Sequence, residues 1–267
     1  MKNIRVKSSM NERTNANSLL APPRFIDKLE QCYFYHTMDL PGWGVTHGEW
    51  DLRGRFHDYV GGVEVAGKSV LDIGAATGYL SFEAEQRGAR VLSVDIGDPR
   101  HQTFLPFKDK LYYRDYESFI FYHTHTVERW KNAYWLCHRL LGSKAGVYYG
   151  NIYDLPRGLG MFDVAIVGAV LEHLSDPITA LASISRLTKE TMVLVTPLLQ
   201  TDERLARFEA SAANPDQDYT WWTYSVGLYR EVFAMLGFRI ASITYSNYYR
   251  DCAGGYEERP TLVAVRT

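Results

Sequence analysis

The sequence predicts an α/β fold, a mostly parallel sheet of seven strands with helices on both faces. Three observations carry that prediction. Short apolar runs alternate with segments of helical period through most of the chain. A tight turn, Gly74-Ala-Ala-Thr-Gly78, joins the first apolar run to a helix. An acid, Asp95, closes the next run about 20 residues later, where such sheets place a ribose-binding carboxylate.

The elements follow in order. Residues 1–20 are polar and weakly basic and read as a flexible tail. Pro22 and Pro23 suit a first helical turn. Arg24 to Tyr35 sets Phe25, Ile26, Leu29 and Tyr33 on one face, so a helix is expected there. His36 to Gly44 is rich in turn formers. Residues 21–66 are thus expected to form an N-terminal helical cap segment, and residues 67–267 the main domain. Strands are expected at Ser69 to Ile73, Arg90 to Asp95, Gly146 to Ile152, Phe162 to Val167, Met192 to Thr196, Arg239 to Tyr245 and Thr261 to Arg266. The last two read as a hairpin-like pair at one edge. Helices are expected at Tyr79 to Arg87, Val127 to Leu141, Asp176 to Leu187 and from an N-cap at Ser225 through Leu236, with Gly88, Gly142 and Gly237 as stops. Two stretches, about 97–125 and 199–224, exceed ordinary connections. Both are crowded with aromatics, which argues against disorder, and both read as caps over an active site.

Composition narrows the function. At 267 residues, 46% hydrophobic and 22% charged, the chain can bury a core without disulfide or metal staples. A net charge of −2 leaves no electrostatic footprint for a polyanion, so nucleic acid is not an expected partner. Cys32, Cys137 and Cys252 are scattered. They give neither a disulfide framework nor a zinc spacing, and a reducing, cytoplasmic location is expected. The first 20 residues lack the apolar core of a signal peptide, and no run is long enough to span a bilayer, so no membrane association is expected.

The turn after the first strand carries the chemistry. Gly74 and Gly78 let the backbone pass close to a ligand, and the helix start offers free N–H groups. The middle glycine of the dinucleotide fingerprint G-x-G-x-x-G is absent. Asp72, just before the turn, would repel a pyrophosphate and suit a cationic amino group. The plain alternative makes Asp72 a cap, the glycines mere turn formers and Asp95 a surface acid. Their order on strand, turn and strand favours a ligand.

Asp72-Ile-Gly-x-x-x-Gly with Asp95 at the end of the second strand resembles the first motifs of class I S-adenosylmethionine (SAM)-dependent methyltransferases. Gly150-Asn-Ile-Tyr-Asp-Leu-Pro resembles their adenine-holding segment, with Asn151 where an Asp is common. Phe162-Asp-Val-Ala-Ile-Val-Gly-Ala-Val-Leu-Glu-His-Leu-Ser-Asp-Pro resembles their fourth-strand motif beside the sulfonium. The likeness covers about Lys68 to Leu198. It implies the Rossmann-like class I methyltransferase fold, S-adenosyl-L-methionine as cofactor and S-adenosyl-L-homocysteine as product. His36-Thr-Met-Asp-Leu, Glu49-Trp-Asp-Leu-Arg-Gly-Arg and Ser81-Phe-Glu-Ala-Glu-Gln-Arg-Gly-Ala resemble the group containing the tRNA wobble-uridine carboxymethyltransferases and their small-molecule relatives. The tRNA branch uses a carboxylated SAM and has a Tyr where this chain has Glu172. A second carboxylate there disfavours a cofactor with extra negative charge.

The implied cofactor contacts are Asp72, Gly74, Ala75, Gly78, Tyr79, Asp95, Ile96, Asn151, Ile152, Gly168 and Ala169. Methyl transfer needs alignment, exclusion of water and, for a hydroxyl acceptor, a base. His173, His123 and His125 are the candidate bases; for each the bland alternative is packing or a solvated loop. His36, Trp43, His47, Tyr116, Trp221, Trp222 and Tyr224 are candidate substrate contacts. His47-x-Glu49-x-Asp51 could share one face of a strand, but without a second cluster no metal is expected. The expected function is methyl transfer to an oxygen or nitrogen of a small molecule. The alternatives are a tRNA-modifying (carboxy)methyltransferase and a non-catalytic SAM-binding protein. A homodimer stays open.

Overall fold

The computed structural model describes residues 18–216 and 219–267. Of the tail expected over 1–20, residues 1–17 lie outside the described residues. The strands, in chain order, are β1 (Met38–Leu40), β2 (Gly44–Thr46), β3 (Trp50–Asp51), β4 (Ser69–Ile73), β5 (Arg90–Ile96), β6 (Gly146–Gly150), β7 (Phe162–Gly168), β8 (Thr188–Val195), β9 (Leu198–Leu199), β10 (Ala206–Phe208), β11 (Trp222–Ser225), β12 (Phe238–Arg250) and β13 (Gly255–Arg266). The α-helices are α1 (Phe56–Tyr59), α2 (Tyr79–Gln86), α3 (Leu111–Arg114), α4 (Tyr116–Leu140), α5 (Pro177–Ser185) and α6 (Val226–Met235).

The main sheet runs β3-β12-β13-β8-β7-β4-β5-β6. Its five strands from β8 to β6 are parallel, and β13 lies antiparallel to β8 and β12. Side chains alternate across it, as strand geometry requires. Val70, Val164, Ile166 and Val193 join one core layer with Leu80, Phe82, Trp135 and Leu136 of α2 and α4. Leu71, Ile73, Val167 and Leu194 join the other with Leu181, Ile184, Tyr229 and Phe233 of α5 and α6. Each such fully buried side chain contributes about 1.5–3 kcal/mol.

The sheet has eight strands where seven are expected. The eighth, β3, comes from the N-terminal segment and pairs with the far end of β12 through Tyr249↔Asp51 and Arg250↔Trp50. Two residues are too few to show a period of two. The last hairpin is also longer than expected, because Ser246 to Arg259 pairs beyond the apolar part of the strands.

The helix expected over Arg24 to Tyr35 does not form. Only a single 3₁₀ turn, Leu29–Gln31, is present. The segment lies instead along α4, whose side chains satisfy its carbonyls: Arg139 donates to Ile26 O at 2.7 Å, Asn132 to Gln31 O at 3.1 Å and Arg129 to Cys32 O at 2.9 Å. Tertiary hydrogen bonds override an amphipathic pattern of this length. Conversely, much of the stretch expected as a cap at 97–125 is the first part of α4. Asp115 caps that helix by accepting from Ser118 N, and Phe104, Tyr112, Phe119 and His123 pack as an aromatic cluster on it. The 199–224 stretch contains a small sheet of order β10-β11-β9.

Candidate active site

Two cavities open along the carboxyl ends of the parallel strands, where α/β sheets bind ligands. The first is a cleft of about 730 Å³, counting its open mouth, lined by Ile73, Gly74, Asp95, Ile96, Asn151 and His173 among others. The second is a tight chamber, about 410 Å³ when its opening to solvent is counted and about 20 Å³ of enclosed room, whose walls include Tyr35, His36, Trp50, Tyr59, Tyr248 and Arg259, with Gly74, Gly168 and Ala169 at its base. Gly74 is the residue the two cavities share. Its φ is +76°, and an added Cβ would stand 2.3 Å from Val170 Cγ2. Glycine is therefore required where the cavities meet.

Asp95 organises the cleft. One oxygen accepts Ala76 N–H and the other its neighbour Ile96 N–H, both at 2.6 Å. Burial raises the carboxyl, and these two backbone bonds oppose it. Each oxygen keeps a further lone pair for a ligand hydroxyl. Behind it Lys131, over the Tyr149 ring at 4.8 Å, donates to Gly97 O at 3.0 Å and fixes the chain after β5. Asn151 and Ile152 line the same cleft, the Asn151 amide oxygen already accepting Tyr153 N–H at 3.0 Å.

Several expected contacts are placed elsewhere. Asp72 is fully buried and lines neither cavity. It points to the α2 side of the sheet, where Ser81 Oγ donates to it at 2.6 Å; Ser81 in turn meets Ser93, and Ser93 meets Tyr134. Its Oδ1 has no partner among the described residues, and burial pushes the carboxyl up to about 7. It ties the end of β4 to α2 on the two sides of the loop. Gly78 is left-handed at φ +87°, but its missing Cβ makes room for the Phe82 and Tyr134 rings. The Tyr79 hydroxyl donates to Leu52 O at 2.6 Å and ties the N-terminal segment down. Ala75 faces the space behind Asp95, whereas Gly168 and Ala169 line the chamber.

The histidines separate. His173 lines the cleft, and its Nδ1–H donates to Tyr219 O at 2.9 Å, leaving Nε2 as the basic nitrogen. His123 lines neither cavity. It is half-buried against Phe119 and bonded to Gln102, which does line the cleft, and burial lowers its pKa. His125 and His47 are exposed and line neither cavity. His36 is in the chamber wall, and burial depresses its pKa to about 3. Trp43 and Tyr116 are exposed and line neither cavity. Trp221 and Trp222 use their indole N–H groups as tethers, donating to Thr103 O at 3.2 Å and Ser175 O at 3.0 Å, and Tyr224 packs on Tyr229. These three hold the small sheet in place and stay out of both cavities.

Glu172 corrects one sequence argument. It is buried and paired with Arg259 at 3.3 Å, so it is no free second carboxylate. The argument against a carboxylated cofactor therefore falls. Sequence reasoning missed Tyr35, Trp50, Tyr59, Tyr248 and Arg259 in the chamber and His101, Gln102 and Trp130 in the cleft. Tyr35 and Trp50 adjoin or lie within the quoted His36 and Glu49 motifs, a signal within reach. Tyr248 and Arg259 had only a strand pattern to recommend them.

Residues 49–242 match the model of a family described as a methyltransferase domain. Among curated proteins no sequence matches. Similar solved structures include magnesium protoporphyrin IX methyltransferase of Synechocystis PCC 6803 with bound SAM (17% identity, 79% of this chain and 76% of that one, TM-score 0.49). Another is 1,6-didemethyltoxoflavin-N1-methyltransferase of Burkholderia thailandensis with 1,6-didemethyltoxoflavin and S-adenosylhomocysteine (19%, 79% and 75%, 0.48). A third is a SAM-dependent methyltransferase of Mesorhizobium loti (14%, 80% and 100%, 0.49).

Proposed function

We propose, from the premise that this chain belongs to the methyltransferase-domain family, that it transfers a methyl group from SAM to a small-molecule acceptor. SAM, when bound, supplies a methyl on a positively charged sulfur, open to in-line displacement by a lone pair. The cleft fits its nucleoside. Asp95 has lone pairs free for two ribose hydroxyls, Ile96 and Ile152 offer apolar faces to the adenine, and bare backbone at Gly74 allows close approach. Metal-free transfer is part of this proposal.

The observation that carries the reading is the junction at Gly74, where the cleft lined by Asp95 and Asn151 meets an aromatic chamber. Chain groups on the cleft side hold the donor, and groups on the chamber side hold the acceptor. Alignment across one shared residue is the task methyl transfer sets a protein. Trp50, Tyr59 and Tyr248 in the chamber wall are buried, and such walls keep water from the reacting atoms. His173, on the cleft side, is assigned to hold the cofactor end of the site; the acceptor-side histidine is His36.

Incubation with methyl-labelled SAM and a panel of small acceptors is expected to give labelled product and S-adenosylhomocysteine, with tRNA unlabelled. SAM bound without transfer to any class of acceptor would contradict the reading, as would labelling of tRNA alone.

A further inference from the structure

Resting on that reading, we propose that the acceptor is a planar, largely apolar carboxylic acid, methylated on its ionised oxygen, and that Arg259 selects it. The polar side chains among those lining the chamber are His36, Arg259 and the tyrosines Tyr35, Tyr59 and Tyr248. His36 N–H donates to Thr77 Oγ1 at 2.9 Å, and the same hydroxyl lies 3.2 Å from His36 Nδ1. Thr77 is fully buried, so its proton needs an acceptor, and among the described bonds Nδ1 is the one available. Nδ1 is thereby occupied, Nε2 carries the ring proton, and His36 meets the chamber as a hydrogen-bond donor.

Arg259 is the cation in the wall. Glu172 takes an Nη1 bond at 3.3 Å, Glu257 pairs with Nη2 at 2.8 Å, and the guanidinium lies over Trp50 at 5.1 Å. Glu257 also pairs with Arg250 at 3.3 Å, so two guanidiniums balance the two carboxylates. The carboxylates fix the plane of the Arg259 guanidinium, and its other N–H groups have no acceptor among the described residues. A fork held in this way suits a planar oxyanion. Tyr35, Trp50, Tyr59 and Tyr248 supply flat walls for the body of the same molecule, and burial raises the three tyrosine hydroxyls, so they stay protonated and offer no base.

Among the described residues that line the chamber none is a carboxylate, and His173 stands on the far side of Gly74. An alcohol, phenol or protonated amine must shed a proton as it reacts and needs a base to take it. A carboxylate at neutral pH has no such proton. Its oxygen forms the new O–CH₃ bond, the methyl–sulfur bond breaks, and that electron pair stays on sulfur. The products are a methyl ester and a neutral thioether, and no proton is released.

The carboxylate held by Arg259 has a rival source, the amino-acid end of SAM itself. One experiment separates the two. Aromatic monocarboxylic acids, and phenols and amines on the same rings, are offered to the full-length protein with methyl-labelled SAM, while S-adenosylhomocysteine binding is measured by calorimetry. The acids should give base-labile label, released as methanol, without acidification of a weakly buffered solution. Arg259→Lys keeps the charge beside Glu172 but loses the fork. It should raise the KM for the acid by roughly 10- to 100-fold and leave S-adenosylhomocysteine affinity within about threefold. Labelling of phenols or amines alone overturns the proposal. So does an equal loss of S-adenosylhomocysteine affinity in Arg259→Lys, which would give the carboxylate to the cofactor. Wild-type protein that binds neither SAM nor its product overturns the methyltransferase reading itself.

Discussion

The cleft around Asp95 and the aromatic chamber touch at one glycine, yet the chain builds them differently. The cleft takes Ile73, Asp95 and Asn151 from the ends of β4, β5 and β6, neighbouring parallel strands of one sheet. The chamber takes Tyr35 to Tyr59 from one end of the chain and Tyr248 and Arg259 from the other, brought together by the pairing of β3 with β12. A site at the ends of successive strand–helix units leaves its signature within a short stretch of sequence. A site closed by long-range pairing leaves its residues among ordinary aromatics and strand residues.

The largest effect should come from the residue common to both regions. Gly74→Ala places a Cβ against Val170 at a left-handed position, which costs about 1–2 kcal/mol for the backbone before the clash is counted. Methyl transfer should fall by more than about 100-fold with the fold retained by circular dichroism. Retention of activity would break the claim that the cavities communicate there.

Asp95→Ala should harm the cleft alone. Loss of hydrogen bonding to a charged group, about 1.5–3 kcal/mol, predicts a SAM dissociation constant about 10- to 100-fold weaker by calorimetry. At saturating SAM the acceptor KM should stay within about threefold. A larger change in acceptor KM would mean the two regions are not separable in this way.

Asp72 tests the tie between β4 and α2. Burial holds its carboxyl up at about 7, well above the ordinary carboxylate value of about 3.9. Between those values the folded chain keeps a proton that the unfolded chain gives up, so stability present in acid is lost as pH rises through this window. Urea unfolding at about pH 5 and about pH 7 should show wild type losing up to about 1.4 kcal/mol per pH unit relative to Asp72→Asn. Parallel pH profiles for the two proteins would refute the buried role that ties β4 to α2.

The smallest effect is expected from Thr77→Val, which cuts the tie between the cofactor loop and His36. A cost of about 1 kcal/mol in stability should accompany a several-fold rise in acceptor KM and an unchanged SAM affinity. If SAM affinity falls instead, the loop and the chamber wall are coupled in the opposite sense.

The legible and illegible parts of the molecule divide along the same line. The parallel strands, α2, α5 and α6 were readable because apolar period, N-caps and glycine stops agree locally. That Gly74, Asp95 and Asn151 line one cleft was readable because they stand at strand ends at known offsets. The role of Asp72 was not, since one step of strand alternation decides whether a carboxylate faces a ligand or Ser81. The segment around Phe25 and Ile26 carried a helical stripe, yet Arg129, Asn132 and Arg139 of α4 hold it non-helical apart from one 3₁₀ turn. Trp221 and Trp222 stood out as a wall by composition, and their N–H groups turn out to be tethers. Arg259 acquires its position from Glu172 and Glu257, and no window of sequence contains all three.

The most direct test is a crystal structure with S-adenosylhomocysteine bound. The account predicts ribose hydroxyls on the Asp95 carboxylate, adenine against Ile96 and Asn151, and the sulfur beside Gly74 facing the chamber of Tyr35, Trp50 and Tyr248. A nucleoside seated away from Asp95, or a sulfur turned from that chamber, would contradict it.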